Sequence, residues 1–463
     1  MHPSLPKNKV EYKNYLKDVI PIILYSALTG ILSGGIVFGY NYCAEFFAHQ
    51  SATAYDFVRE NPAFIPLLFL ALILLAVFVW IVLKFIPEVK RLGVPRTEAA
   101  LRGLKPISWW RTLIGTILGT LPAFLGGLSL GAERPSTSIG GSIGAGVAKL
   151  DRRKNRSPEQ QKELNLLVAS AGSGAAFATA FCAPITGLVF TLEELHQKFN
   201  AKLLLAAASS ITTATITSTI LREVLGMESS LFHFEVSSLP LELSWTLPAV
   251  GLVCGLLASV YSKALGMTCQ SSKIAKIPLF LKLIAVFLIT GVIGILCADS
   301  LGSGMSLINK ISSLNIGWKA LLLLFALKAL LTLLGLGSGA AGGLLVPMLT
   351  LGALIGSLLG NLFIAIGVPD DLYTTFVVIS MSAFLGALFR TPITAVVLAI
   401  ELTGSTSGIL TIGLEIFIAY VVAELLMRKP IYDVLLDISL EDYELCTSNG
   451  GIIAELKTFF KRK

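Results

Sequence analysis

Gly131-Ala132-Glu133-Arg134-Pro135, followed by Gly140 and Gly144, closes the apolar run Thr112–Leu130 and carries a carboxylate toward hydrocarbon. An ionisable group in a membrane span is costly, so it faces a water-filled path or a partner. Pro135 suits the first turn of a helix, where a missing N–H costs nothing. Glycines four apart let a second helix approach closely. A helix N-terminus aimed into the membrane beside an acid points to a gated anion site, because the free amides there attract negative charge.

The same plan recurs further along the chain. Gly343, Pro347, Gly352 and Gly356 each lie 212 residues beyond Gly131, Pro135, Gly140 and Gly144. Pro184-Ile185-Thr186 with Glu193 recurs 208 residues on as Pro392-Ile393-Thr394 with Glu401. Two landmarks repeated in one order indicate an internal duplication. Transporters built this way place the substrate site between the halves, at broken helices near the membrane midplane.

The rest of the chain fits that frame. Of its 463 residues 54% are hydrophobic and only 14% charged, which excludes an ordinary soluble domain. Apolar runs of about 20 residues, each long enough to span a bilayer, recur from Val19–Tyr40 and Ala63–Leu83 to Phe376–Ile400 and Ile409–Met427. Several contain glycine or proline, and non-helical backbone survives at depth only where protein or a cavity covers it. The expected fold is therefore an all-α polytopic membrane protein with two inverted-topology repeats and broken, half-spanning helices. Its expected division is a cytoplasmic segment at 1–18, a first repeat at 19–221, an external linker at 222–244, a second repeat at 245–433 and a short cytoplasmic tail at 434–463. Some thirty residues after the last span are too few to bury a useful core, so no second soluble domain is expected.

The net charge of +7 is distributed as membrane topology requires rather than as a nucleic-acid footprint. Lys7, Lys9, Lys13 and Lys17 precede the first span, and Lys149, Arg152, Arg153, Lys154 and Arg156 share one loop. Arg428, Lys429, Lys461, Arg462 and Lys463 lie near the end, whereas 223–242 leans acidic. This positive-inside pattern puts both termini in the cytoplasm of a multi-pass protein of the cell membrane. The basic surroundings of 84–111 read either as surface anchoring or as a vestibule that concentrates anions. Six scattered cysteines and four unclustered histidines give no metal site, and nothing calls for a cofactor. No nucleophile–base pair supports an enzyme. Gly337-Ser338-Gly339-Ala340-Ala341-Gly342 spells GxGxxG, yet no strand precedes it and no βαβ unit surrounds it. Its glycines instead fit a sharp break between helices.

At this point the motifs resemble those of the CLC family of chloride channels and proton–chloride antiporters, in its bacterial short form without cytoplasmic CBS domains. The family's GREGP segment is similar to Gly131–Pro135, and its GIFAP segment to Gly343-Leu344-Leu345-Val346-Pro347. Its GSGIP segment is similar to Arg91-Leu92-Gly93-Val94-Pro95, its NAPLAG…EE stretch to Ala183–Gly187 with Glu193-Glu194, and its late KPLY to Lys429-Pro430-Ile431-Tyr432. The resemblance implies a homodimer in the lipid bilayer with one pathway per subunit, exchanging chloride or a similar monovalent anion for protons. Glu133 would be the external gate, Glu194 the internal proton acid and Glu193 its structural neighbour. Tyr432 and the backbone at Leu92, Gly93, Val94, Leu344 and Leu345 would line a central anion site. Amides around Glu133, Arg134 and Val346 would form an outer one.

Four departures qualify that reading, one of them Leu345 in place of an aromatic near the gate. Leu92 stands where the family has a serine hydroxyl, Arg134 where it has glycine, and Ala132 where it has arginine. Leu92 and Arg134 keep a passive chloride channel or uncoupled transporter open as the alternative. Fluoride–proton exchange ranks lower, because Tyr432 and Glu194 are present.

Overall fold

The computed structural model describes residues 9–438 apart from 90–107, 152–156, 197–198, 228–231, 233, 235, 238, 275–276, 314–315 and 405–407. The candidate positions Leu92, Gly93 and Val94 lie outside the described residues. Helix α1 (Lys9–Glu60) leads to α2 (Ile65–Phe85), α3 (Trp109–Leu125), α4 (Glu133–Ala148), α5 (Pro158–Phe181), α6 (Pro184–Phe190) and α7 (Ala201–Leu225). The second half runs through α8 (Thr246–Ile274), α9 (Leu279–Leu296), α10 (Met305–Ser313), α11 (Trp318–Ser338) and α12 (Leu345–Ala365). It closes with α13 (Tyr373–Phe389), α14 (Pro392–Thr403), α15 (Ile409–Leu426) and a short helix α16 over 431–438. Among the described residues ten helices are long and apolar enough to cross a membrane.

The breaks fall where backbone chemistry demands them. Cys182 (φ 55°) and Arg390 (φ 57°) are the two non-glycine residues with positive φ among those described. Each sits two residues before the proline that starts the next helix, Pro184 or Pro392, so both interruptions are built alike in the two halves. The left-handed conformation costs an L-residue roughly 1–2 kcal/mol, and it turns the chain so that proline can open a new helix. Gly339 (φ 89°) ends α11, which accounts for the GxGxxG string without any strand or nucleotide.

Two expected boundaries shift. The first span does not stop at Tyr40, because α1 continues without interruption to Glu60. No glycine or proline lies between Asn41 and Glu60, and Asn61-Pro62 is the first sequence able to end the helix. The run Thr112–Leu130 is helical only to Leu125, where Gly126 and Gly127 (φ 77°) turn it into an extended approach to Glu133.

The repeated glycines seat one helix on another in each half. A Cβ at Gly140 would lie 2.2 Å from the Gly172 carbonyl, and one at Gly144 2.3 Å from that of Val168, so α4 lies backbone to backbone on α5. In the second half a Cβ at Gly352 would meet the Met381 Cα at 2.7 Å, and one at Gly356 the Phe376 carbonyl at 2.4 Å. The small residues Ala169–Ala176 are thus committed to packing inside one subunit. Substituting Gly172→Val drives a side chain into the Gly140 carbonyl and should cost about 1–3 kcal/mol, read as a lower melting temperature of the purified protein. Gly39→Ala, where nothing lies within 4 Å, is the matched control and should be neutral or slightly stabilising. Equal melting of wild type and Gly172→Val would refute the packing account.

Candidate functional site

The two motifs meet face to face. Gly131 N–H donates to the Gly343 carbonyl at 2.9 Å, and Gly343 N–H donates back to the Gly131 carbonyl at 2.7 Å, an isolated antiparallel pair. That pair sets the N-terminus of α4 beside the N-terminus of α12. The first amides of each helix lack intrahelical acceptors and carry the positive end of the helix dipole.

One carboxylate uses them. Glu133 is 3% exposed, and its Oε1 accepts the Leu345 N–H at 2.6 Å. The amides of Val346 and of Glu133 itself also face the carboxylate. Glycine is needed at both positions of the pair: a Cβ at Gly131 would lie 1.9 Å, and one at Gly343 2.0 Å, from a Glu133 carboxylate oxygen. Leu344 is the residue that precedes α12, so Leu344, Leu345 and Val346 all lie at the expected helix start.

On one side Glu133 borders a cavity of about 160 Å³ shared with Asn41, Glu45, Phe124, Met305 and Val346. The extension of α1 beyond Tyr40 supplies Asn41 and Glu45 to this wall. Gly302 and Ser303 line it from another direction. Their turn is held by Lys328, a fully buried lysine of α11 whose Nζ donates to the carbonyls of Gly302 at 2.6 Å and of Ser300 and Leu301 at 3.3 Å. Lys328 was missed in the sequence reading. The available signal was a single cation inside the apolar run Ala320–Leu336.

Arg134, the next residue of α4, turns inward and is 2% exposed. Its Cζ lies 4.2 Å from the centroid of the Tyr432 ring. Tyr432, on α16, stacks its ring on Phe389 at 4.5 Å and 29°. A desolvated cation–π contact stabilises by about 2 kcal/mol. The structure therefore brings Glu133, Arg134, Tyr432 and the start of α12 into one region. Pro135 occupies the first turn of α4 and Pro347 that of α12.

Glu193 has a defined task at the second landmark. Its Oε1 accepts Ile393 N–H at 3.1 Å, and its Oε2 accepts Thr394 N–H at 2.7 Å and the Thr394 hydroxyl at 2.6 Å. Glu401 does the same for the other half, accepting Ile185 N–H at 2.9 Å and both the amide and hydroxyl of Thr186 at 2.6 Å. Glu193 thus caps the helix that carries Glu401, and Glu401 caps the helix that leads into Glu193. Glu194, one residue on in a π-helical turn at Thr191–His196, is 7% exposed.

Comparison with known proteins now has a geometry to attach to. A family model described as "Voltage gated chloride channel" matches residues 74–424. The chain belongs to this CLC family. It is a multi-pass membrane protein of an anion-transport family whose members are transporters or channels rather than enzymes. The crystal structure of a slow cyanobacterial Cl⁻/H⁺ antiporter matches at TM-score 0.82 and 25% identity, over 91% of this chain and 98% of that one. A eukaryotic CLC transporter matches at TM-score 0.75 and 18% identity, over 92% of this chain and 74% of the other. A CLC-type fluoride/proton antiporter matches at TM-score 0.74 and 21% identity, over 92% and 99%. The last two show the CLC fold alone.

Removing one of the crossed caps should destabilise without touching the first landmark. Glu193→Ala and Glu401→Ala should each cost about 1–2 kcal/mol, read as a fall in melting temperature. Glu163→Ala, which deletes a half-exposed ion pair with Lys202, should fall within about 0.5 kcal/mol of wild type. Caps with no greater effect than that control would be surface acids and not links between the halves.

Proposed function

We propose that the chain exchanges chloride or a similar monovalent anion for protons across the cell membrane, with Glu133 as the external gate. One observation carries this reading: the Glu133 carboxylate sits on the Leu345 amide at the N-terminus of α12. Amides in that position attract anions, so a carboxylate placed there competes with any anion for the same donors. Protonation removes the charge that holds Glu133 in place and frees the amides. Proton and anion occupancy thereby become mutually dependent. The cavity beside Glu133 leaves room for its carboxyl to move off the amides. Buried Glu194 is the proton acid on the other side, and Glu193 is the structural cap beside it.

Likeness to a protein described as a Cl⁻/H⁺ antiporter, at 25% identity over nearly its whole length, supports the coupled reading. The two repeats divide at the 222–244 linker, both termini are cytoplasmic, and two copies associate with one pathway each. A passive anion conductor is the second reading, favoured by Arg134. A permanent positive charge inside the protein can hold an anion whether or not Glu133 is protonated, which loosens the link between the fluxes.

The deciding experiment places the purified protein in liposomes under a chloride gradient with a pH electrode outside. Chloride-driven proton movement against the proton gradient establishes exchange. Anion efflux without protons establishes the passive reading. Glu133→Gln should abolish proton movement and leave anion flux, and Glu194→Gln should reduce proton flux by about tenfold or more, as loss of a positioned proton donor does. Uphill proton movement in Glu133→Gln would remove Glu133 from the gate.

A further inference from the structure

We infer that Asn41 is the catch for the displaced gate: its side-chain amide binds the protonated Glu133 carboxyl once that carboxyl has left the α12 amides for the neighbouring cavity. The inference rests on the reading of Glu133 as a gate and names the residue that receives it.

Two residues of one cavity wall each carry an orphaned atom. Asn41 and Glu133 both line the space of about 160 Å³. Among the described residues Asn41 Nδ2 and Glu133 Oε2 have no hydrogen-bond partner, although both atoms are buried. One is a donor and the other an acceptor, and each is unfavourable left alone. Geometry keeps the two residues within reach. Ser136 follows Glu133 by three positions on α4, and its hydroxyl donates to Asn41 Oδ1 at 3.1 Å. Residues three apart on a helix are neighbours, about 5–6 Å between Cβ atoms, so Asn41 stands one turn from Glu133. A water takes about 30 Å³, and the cavity is several times larger, which is room for a carboxyl group.

The chemistry of the amide selects the protonated gate. A primary amide carries a donor and an acceptor side by side, as a carboxylic acid does, whereas a carboxylate only accepts. Oδ1 can be given up for this purpose, because the Ser136 hydroxyl has a second acceptor in the Ala132 carbonyl at 2.8 Å. Much of the remaining wall is apolar, with Phe124, Phe181, Met305 and Val346. Glu45, one turn further along α1, is an acid and repels a charged gate. The other titratable groups nearby are Tyr40 on α1, Arg134 on α4, Cys182 after α5, Arg222 on α7 and Lys328 behind the Gly302 turn. All of them stay in place when Asn41 is substituted.

Chloride efflux from liposomes holding the purified full chain, with equal pH on both faces, reads the catch. On the gate reading flux rises as pH falls. The catch favours the protonated, displaced state, so its removal demands more acid. Asn41→Leu should therefore lower the midpoint of flux against pH by about one unit, the worth of one hydrogen bond. Loss of polarity alone has the opposite sign, since a drier cavity disfavours the carboxylate and raises the midpoint. In a Glu133→Ala background the same substitution should carry no pH-dependent effect, because no carboxyl remains to be held. An unmoved or raised midpoint in Asn41→Leu, or an equal pH-dependent effect in the Glu133→Ala background, overturns the catch. Should Asn41→Leu fail to fold, the structure of Glu133→Gln, a mimic of the protonated gate, decides. A side chain bonded to Asn41 supports the catch, and one that stays on α12 or lies in the cavity apart from Asn41 overturns it. The gate reading fails separately, when Glu133→Ala keeps the pH dependence of the wild-type flux.

Discussion

Two backbone hydrogen bonds between Gly131 and Gly343 hold the rest of the site in place. They are short-range, yet they join residues 212 positions apart, and they bring together two helix starts that would otherwise repel. Each start carries roughly half a positive charge, so a gap between them without a negative group would be unfavourable. The Glu133 carboxylate supplies that group. It fits only because neither glycine has a side chain, since a Cβ at either would overlap its oxygens. Pairing, convergence of dipoles and placement of the acid are one requirement expressed three times.

Duplication explains how a single chain meets that requirement. Glu193 caps α14 and Glu401 caps α6, so the two halves are fastened reciprocally at the second landmark as they are at the first. Symmetry then makes its exceptions informative. The residue equivalent to Glu133 in the second half is Leu345, 212 positions on, and its amide is the one Glu133 takes. Arg134 likewise corresponds to Val346. Both halves contribute helix starts, but only the first contributes charged side chains. A symmetric frame bearing asymmetric side chains gives the region one occupant that can titrate and one that stays charged.

Much of this was legible in the sequence, and the division between legible and hidden is physical. The repeated Gly-Pro-Gly-Gly spacing reports on helix starts and close helix contacts, which are local properties, so α4 and α12 fall where the pattern puts them. The prolines at 184 and 392 mark breaks for the same reason. The acceptance of the Leu345 amide by Glu133 depends on the repeats folding back on one another, and no local pattern encodes that. The inward turn of Arg134 depends on Tyr432, almost 300 residues away. The length of α1 was obscured because polar residues such as Asn41 and Glu45 interrupt the apolar run without breaking the helix. Lys328 stands alone in its apolar run and Glu415 shares the run Ile409–Met427 only with Glu424 near its end, recognisable anomalies that have no motif around them. The structure gives Lys328 three carbonyls to hold, whereas the buried Glu415 carboxylate has none of its oxygens paired among the described residues.

The region thus holds two kinds of positive charge. At the start of α12 it is fractional and belongs to the backbone, so it cannot titrate and holds any single anion weakly enough to release it. There the Glu133 carboxylate takes the Leu345 amide, and on the proposed reading its protonation decides whether the amides are available to an anion. At Arg134 the charge is whole, and the adjacent carboxylate is directed elsewhere. On the proposed reading, proton dependence belongs to the first. How tightly the fluxes are linked then follows from which charge holds an anion more firmly. A hold by the amides answers to Glu133, whereas a hold by the field of Arg134 does not.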